Sequence, residues 1–358
     1  MKSHLCQLAS LLAITAVSVI VPAAHAAQPT AVKSYKVSVF AKSVPGAYTQ
    51  PDSIEVVDGH VWIGFGDGVA KDGTDGKSSS IVEFDEEGVP LHVYSVPGHN
   101  DGLKLDPKTK LLWALQNEDG NPNLVILDPK TGNEKHYTFA APPAQGGGYD
   151  DIAFLNGKVY FSASNPASDP NTSQAIVEVT LVGSQVKVVP ILNGNAAAED
   201  VPDDSTVTLN LIDPDSLTTR LGRLVMTNQD GAQLIVVERP GKTNQEVLVF
   251  PLKHAGSPVK VDDTVFVPGV HGRILVSDTS TDTIYAIDRS AFVPGTAYSA
   301  ASTAGFVGTV NFDNGIITPI VNGLVGPHGM AFLAATKNDE DHDRDQPASA
   351  ACETEGTR

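Results

Sequence analysis

The stretch PDSIEVVDGHVWIGFGDGVAKDGTDGKSSSIVEFDEEGVPLHVYSVP (51–97) decides the fold. It opens with a short apolar run, PDSIEV (51–56), followed by a turn and a second run carrying an aromatic, HVWIGF (60–65). A polar, glycine-rich loop leads to IVEF (81–84), and the turn Asp85-Glu86-Glu87-Gly88 leads to LHVYSV (91–96). Short apolar runs bounded by Gly, Pro, Asp and Asn are strand signals, and helical periodicity is almost absent. Four such strands within about 45 residues make one small antiparallel sheet, the size of a propeller blade.

Working outward, the set recurs. A second unit runs NDGLKL (100–105), LLWAL (111–115), LVIL (124–127), the turn Asp128-Pro129-Lys130-Thr131-Gly132, and HYTF (136–139). A third runs DDIAFL (150–155), VYFSA (159–163), IVEV (176–179) and VKVVPI (186–191). A fourth is blurred between Asp203 and Leu252. A fifth is expected to open at DDTVFV (262–267) and to continue through ILVSD (274–278) and TIYAID (283–288). GTVNFDNGIITPIV (308–321) reads as a hairpin with an Asn-Gly turn, and GPHGMAFL (326–333) opens one more unit. The run YKVSVF (35–40) is expected to complete the last blade from the N-terminal side. The fold class is therefore all-β, a single β-propeller over residues 27–335 with six four-stranded blades; five blades, with 289–306 as an insertion, is the alternative.

These phrases resemble the superfamily of NHL-repeat propellers, gluconolactonase and senescence-marker lactonases, and streptogramin lyases. The residues that carry the resemblance are Pro51-Asp52-Ser53-Ile54 with Val61-Trp62-Ile63, Asp101-Gly102-Leu103 with Leu112-Trp113, and Asp150-Asp151-Ile152-Ala153-Phe154. Ile274-Leu275-Val276-Ser277-Asp278 and Gly326-Pro327-His328-Gly329-Met330-Ala331 complete the set. The resemblance implies the propeller fold. Its lactonase branch implies hydrolase chemistry at a metal held by a Glu, Asn residues and an Asp at the channel mouth.

In a propeller the first strand of each blade starts at one face and the second returns to it. Aligning the unit openings on their first apolar residue puts Asp52, Asp101, Asp150, Asp263 and His328 in one column, with Asp203 and Asp204 near the blurred fourth position. The ends of second strands add Asp67, Asn117, Asn165, Asn228 and Asp278 to the same face. Converging carboxylates need pairing or neutralisation, and hard oxygen donors suit Ca²⁺ or another divalent cation. Asp52, Asp150, Asn228 and Asp263 are the expected ligands, with His328 and Asp101 as catalytic base or substrate contact. The competing structural reading is that Asp and Asn at strand starts cap turns, and that a recurring Asp fastens each blade to the next. His328 between Pro327 and Gly329 then reads as a hydrogen-bonded turn residue. Trp62 and Trp113 occupy equivalent places and read as core. The loop GDGVAKDGTDGK (66–77) lacks the spacing of a calcium loop and reads as a flexible connection.

The rest of the chain bounds the function. Of 358 residues only 18% are charged, against about 25% for an average domain, and the formal net charge is −18, which disfavours nucleic acid as a partner. Residues 1–26 have one early lysine, an apolar run from Leu8 to Val21, and Ala24 and Ala26 before a cleavage point, the layout of a signal peptide. The expectation is an exported protein, periplasmic or extracellular, with no membrane span after cleavage. Cleavage would leave Cys352 as the only cysteine, so no internal disulfide is expected. Residues 336–358 read as an acidic, disordered tail. Two functions follow: a metal-dependent hydrolase of lactones or esters, or a non-catalytic propeller scaffold. Either acts as a monomer that takes a small molecule or a protein at the channel mouth.

Overall fold

A computed structural model describes residues 28–335; the segment 1–26 read above as a signal peptide and the segment 336–358 read as a tail lie outside the described residues. The described chain is all-β, and its only helical element is the 3₁₀ turn Thr279–Thr281. Pro51–Val57, His60–Phe65, Ser78–Phe84 and Pro90–Pro97 pair consecutively and antiparallel into a four-stranded sheet. Asn100–Leu105, Leu112–Gln116, Asn123–Leu127 and Glu134–Phe139 repeat the pattern, as do Ile152–Leu155, Lys158–Ser162, Gln174–Val182 and Gln185–Asn193. The outer strands of these two sheets pair in parallel at Thr138–Gln185 and Phe139–Val186, which joins them edge to edge.

The blurred fourth unit resolves into two parts. Pro214–Arg220, Arg223–Asn228, Gln233–Glu238 and Glu246–Pro251 form its sheet, and the hairpin Ala197–Asp200/Ser205–Thr208 adds to the outer edge. The unit opens at Pro214. Asp203 and Asp204 lie exposed in the hairpin turn, away from any inner strand.

The fifth unit departs from the sequence reading. Thr264–Phe266 pairs with Ala297–Ala301, and that sheet continues through Phe306–Val310 and Ile317–Asn322 to the short strand Thr30–Ala31. Gly272–Asp278, assigned above with Thr283–Asp288 to the DDTVFV unit, pairs instead with Pro327–Ala334 on one side and Thr283–Asp288 on the other, and Lys36–Lys42 closes the edge of that sheet. The chain lays down one inner strand, builds two strands of the next sheet, then returns. Residues 289–306 are thus no insertion, because Ala297–Ala301 is a fully buried central strand. Local sequence shows a strand but not its partner, and closing a longer loop adds little entropy, so the interleaving leaves no local mark.

The innermost strands touch in a closed ring: Pro51–Val57, Asn100–Leu105, Ile152–Leu155, Pro214–Arg220, Thr264–Phe266, Pro327–Ala334, and back to Pro51–Val57. The apolar core lies between sheets rather than within them. Trp62 and Ile81 pack on Leu103 and Leu112 of the next sheet; Trp113 and Leu115 pack on Ile152 and Phe161 of the one after. The ring closes where Leu275, Ile284 and Ala331 meet Ile54, Val61 and Ile63. Trp62 is 1% exposed and Trp113 6%, as the core reading expects. At two places the ring is tight enough to require glycine. A Cβ on Gly102 would stand 2.2 Å from the Asp150 carbonyl oxygen, and one on Gly329 would stand 2.4 Å from that of Asp52. These contacts hold the starts of neighbouring inner strands together, and the candidate site is built on those starts.

Candidate functional site

One residue from the start of each inner strand faces a common cavity: Asp52, Asp101, Asp150, Asp215, Asp262 and His328. The cavity volume is about 160 Å³. Among the described residues it is lined by ten carboxylates against two lysines, Lys71 and Lys104, and His328. The sequence column is therefore real for Asp52, Asp101, Asp150 and His328, and shifted by one residue in the fifth unit.

The shift has a physical cause. Thr264, not Val265, fills the buried place taken by Ile54 and Ile152, because its hydroxyl pairs with Ser299 Oγ at 2.7 Å. That makes Asp262 the column residue and Asp263 the counterpart of Asp151. Asp263 and Asp151 do another job. Asp151 accepts the N–H of Ile152 at 2.7 Å and that of Leu217, on the next inner strand, at 2.9 Å. Asp263 accepts the N–H of Thr264 at 2.6 Å and that of Met330, again on the next inner strand, at 2.8 Å. Both oxygens of each carboxylate are thereby engaged. Blade fastening belongs to the second position of the opening, although Asp151 and Asp263 also border the cavity that the first position faces.

The second-strand ends are turn formers and do not line the cavity. Asn228 is fully buried; its Oδ1 accepts from Asp213 N at 3.0 Å and its Nδ2 donates to Gln233 Oε1 at 2.8 Å. Asn117 Oδ1 accepts from His99 N, and Asp278 accepts from the N–H groups of Thr281, Val325 and Gly326. Asp67 and Asn165 carry positive φ angles of 53° and 46°, a conformation suited to a turn. His328 is both a turn residue and a cavity residue: Nδ1 lies 2.8 Å from the Gly326 carbonyl oxygen, while Nε2 lies 3.7 Å from Asp262 Oδ1.

Residues that sequence reasoning missed complete the cavity. Asp215 was signalled, since Pro214-Asp215-Ser216-Leu217 nearly repeats Pro51-Asp52-Ser53-Ile54. Glu118 follows Asn117 directly, two residues beyond the end of the strand Leu112–Gln116. Lys71 comes from the loop 66–77, and no local pattern marks it. One carboxylate oxygen from each of Asp101, Glu118 and Asp150 can be chosen so that all lie within 4.8 Å of one another. The Lys71 ammonium pairs with Glu118.

Burial dominates the electrostatics. It pushes Asp101, Asp150 and Asp215 well above the usual carboxylate range, and their acidic neighbours add to the rise. Burial would raise Glu118 too, but Lys71 and hydrogen bonding to Asp101 bring it down to about 2. Burial raises Asp262 to about 7, opposed by His328. Burial alone would lower His328, yet Asp262, Asp52 and the Gly326 carbonyl raise it to about 9. Lys104 sits 3.4 Å from Asp151, with Glu55 beside it pushed by burial up to about 7. Two buried column oxygens, Asp101 Oδ2 and Asp215 Oδ2, have no hydrogen-bond partner. Their residues are 7% and 8% exposed. Unpartnered carboxylate oxygens at this depth fit a bound cation, and an all-oxygen donor set fits a hard one.

No family model and no curated protein sequence matches the chain. Solved structures do. The chain is similar to the periplasmic gluconolactonase of Pseudomonas aeruginosa, at 12% identity over 80% of this chain and 89% of that one, with a TM-score of 0.44. It is similar to a putative gluconolactonase at 11% identity, over 86% of this chain and 91% of that one, with a TM-score of 0.45. A protein of unknown function from Bacteroides caccae gives 10% identity, over 79% and 86%, and a TM-score of 0.47. These are distant likenesses in shape, and the site stands on its own residues.

Proposed function

We propose that the chain is a six-bladed propeller whose channel cavity holds a hard divalent cation and hydrolyses a neutral lactone or ester. The observation that carries this reading is the pair of buried, unpartnered oxygens, Asp101 Oδ2 and Asp215 Oδ2, beside the Asp101–Glu118–Asp150 cluster. Asp101, Glu118 and Asp150 would hold the cation, and Ca²⁺ or Mg²⁺ suits their oxygens. Such an ion, when bound, polarises a carbonyl and lowers the pKa of water. The sequence expectation of Asn228 and Asp263 as ligands gives way here, because their polar atoms are already engaged.

The chain's own residues do the remaining work. His328, raised to about 9, is cationic at neutral pH and donates a proton or hydrogen bond rather than acting as the base expected from sequence. Asp262, near 7 with its Oδ1 3.7 Å away, favours the cationic form through its charge. The excess of carboxylates repels anions, so the ring-closed neutral form of a sugar acid suits the cavity better than its open carboxylate product. The charge balance thus favours product release.

The blade count rests on the closed ring of inner strands and on cores that each straddle two sheets. Export rests on residues 1–26. A second reading, a non-catalytic propeller that binds a cationic ligand, is favoured by one observation: Lys71 already reaches into the acidic cavity as a cation. A panel of lactones and esters, with and without chelator, tests the proposal. Turnover that chelator abolishes and Ca²⁺ restores is the expected result; no turnover on any member, with cation bound, favours the second reading.

A further inference from the structure

Lys71 is placed in a way that the hydrolase reading does not require. It comes from the loop 66–77, which lies over the cavity side of the first sheet. The loop backbone is docked on the neighbouring loop: Asp119 N donates to the Lys71 carbonyl at 3.1 Å, and Asn121 Nδ2 donates to the Asp72 carbonyl at 2.9 Å. His99 Nδ1 lies 3.0 Å from the Val69 carbonyl oxygen. The backbone of the loop is therefore fixed where the side chain leaves it.

Among the described residues the side chain is held only by its ion pair with Glu118, and it is largely accessible. It is 56% exposed, while Glu118, which its ammonium pairs with, is 12% exposed. Its ammonium reaches the acidic cluster while the side chain as a whole keeps this exposure. A lysine stem with four rotatable bonds can withdraw that head without moving the backbone.

We infer that Lys71 is a tethered counter-ion: its ammonium occupies the charge position of the Asp101–Glu118–Asp150 cluster and must swing out when a divalent cation binds. The inference rests on the cation site proposed above and adds its regulation. Two pieces of geometry carry it. The ammonium sits on one member of the triad that can converge on an ion, and Asp101 Oδ2, on another member, stays buried without a partner despite it. A single ammonium on Glu118 therefore leaves the cluster incompletely satisfied, and a divalent ion among the three oxygens would replace it. The two cations exclude one another because both seek the Glu118 carboxylate. Lys71 thus offsets part of the repulsion among the carboxylates when no ion is available, and the ion affinity is set by the difference between the two cations rather than by the carboxylates alone.

The test uses the full chain, stripped by chelator, titrated with CaCl₂ and separately with MgCl₂ by calorimetry, with melting temperature read in parallel. Lys71→Met removes the competing charge and keeps most of the stem. Its affinity for the preferred ion should rise roughly tenfold or more, about 1.4 kcal/mol. In chelator it should melt below the wild type, and saturating ion should close that gap. Lys71→Arg, which keeps the charge, should bind close to wild type and serves as the control on the loop's integrity. If Lys71→Met and wild type bind with equal affinity, the counter-ion role is wrong and the cation site stands. If Lys71→Met binds more weakly, Lys71 assists the site rather than competing for it, and the inference is overturned. If neither protein binds either ion, the inference and the proposed function fall together.

Discussion

Asp263 Oδ2 accepts the backbone N–H of Met330 at 2.8 Å, across 67 residues of chain, while the adjacent Asp262 faces the channel cavity and His328. Neighbours in sequence thus have opposite assignments. Asp263 joins two inner strands, and Asp262 contributes charge to the site.

That division gives a paired prediction. Asp263→Ala leaves the buried N–H groups of Thr264 and Met330 without acceptors and should destabilise the protein by about 2–4 kcal/mol. Asp262→Asn removes a carboxylate that burial already disfavours and should leave stability within roughly 1 kcal/mol of wild type, or raise it. Urea denaturation of both variants measures the difference. Equal loss in the two would mean that the fifth opening is registered differently.

The His328–Asp262 pair makes stability depend on alkaline pH. A histidine raised from 6.5 to about 9 in the folded chain contributes stability that is complete below pH 6.5 and is lost as pH rises through 9. Asp262, raised to about 7, acts earlier: its penalty grows as pH rises from the ordinary carboxylate range and is complete above 7. Above pH 7 His328 contributes its own decline, with a ceiling of roughly 3 kcal/mol, beside any from the raised carboxyls of Asp101, Asp150 and Asp215. Melting curves from pH 6.5 to 9.5 should fall in the wild type and run flatter in His328→Gln.

The cores between sheets predict large effects from single truncations. Trp62, 1% exposed and stacked on Tyr94 at 5.5 Å, fills the space between the first and second sheets. Trp62→Ala should destabilise by roughly 3–5 kcal/mol. Gly102→Ala should also destabilise, because its new Cβ meets the Asp150 carbonyl and one of the two must move. In that variant the Asp101–Asp150 spacing changes, so cation affinity should fall along with stability.

Much of the fold was legible because strand signals are local. Each run such as HVWIGF or LLWAL declared itself by its own composition, and the Asp at the first three openings marked where those units began. What was not legible was long-range or depended on one side chain. The exchange of Gly272–Asp278 and Thr283–Asp288 between sheets changes no local pattern. The one-residue shift at Asp262 depended on Thr264 serving as a buried strand residue, which its hydroxyl permits only because Ser299 is across from it. Asp215 could have been found from the repeated PDS phrase, but the Ala197–Asp200 hairpin inserted ahead of it hid the opening. Lys71 and Glu118 reach the cavity from loops, where spacing carries no period.

The most direct measurement is calorimetric titration of CaCl₂ and of MgCl₂ into chelator-stripped protein and its Asp101→Asn variant, with melting temperature followed in the same samples. One bound ion per chain is expected for wild type, with a melting temperature that rises with ion concentration. Binding should be absent in Asp101→Asn, which should melt in chelator no lower than wild type. Absence of heat and of any melting shift in the wild type, or undiminished binding in Asp101→Asn, would contradict a cation site at the Asp101–Glu118–Asp150 cluster.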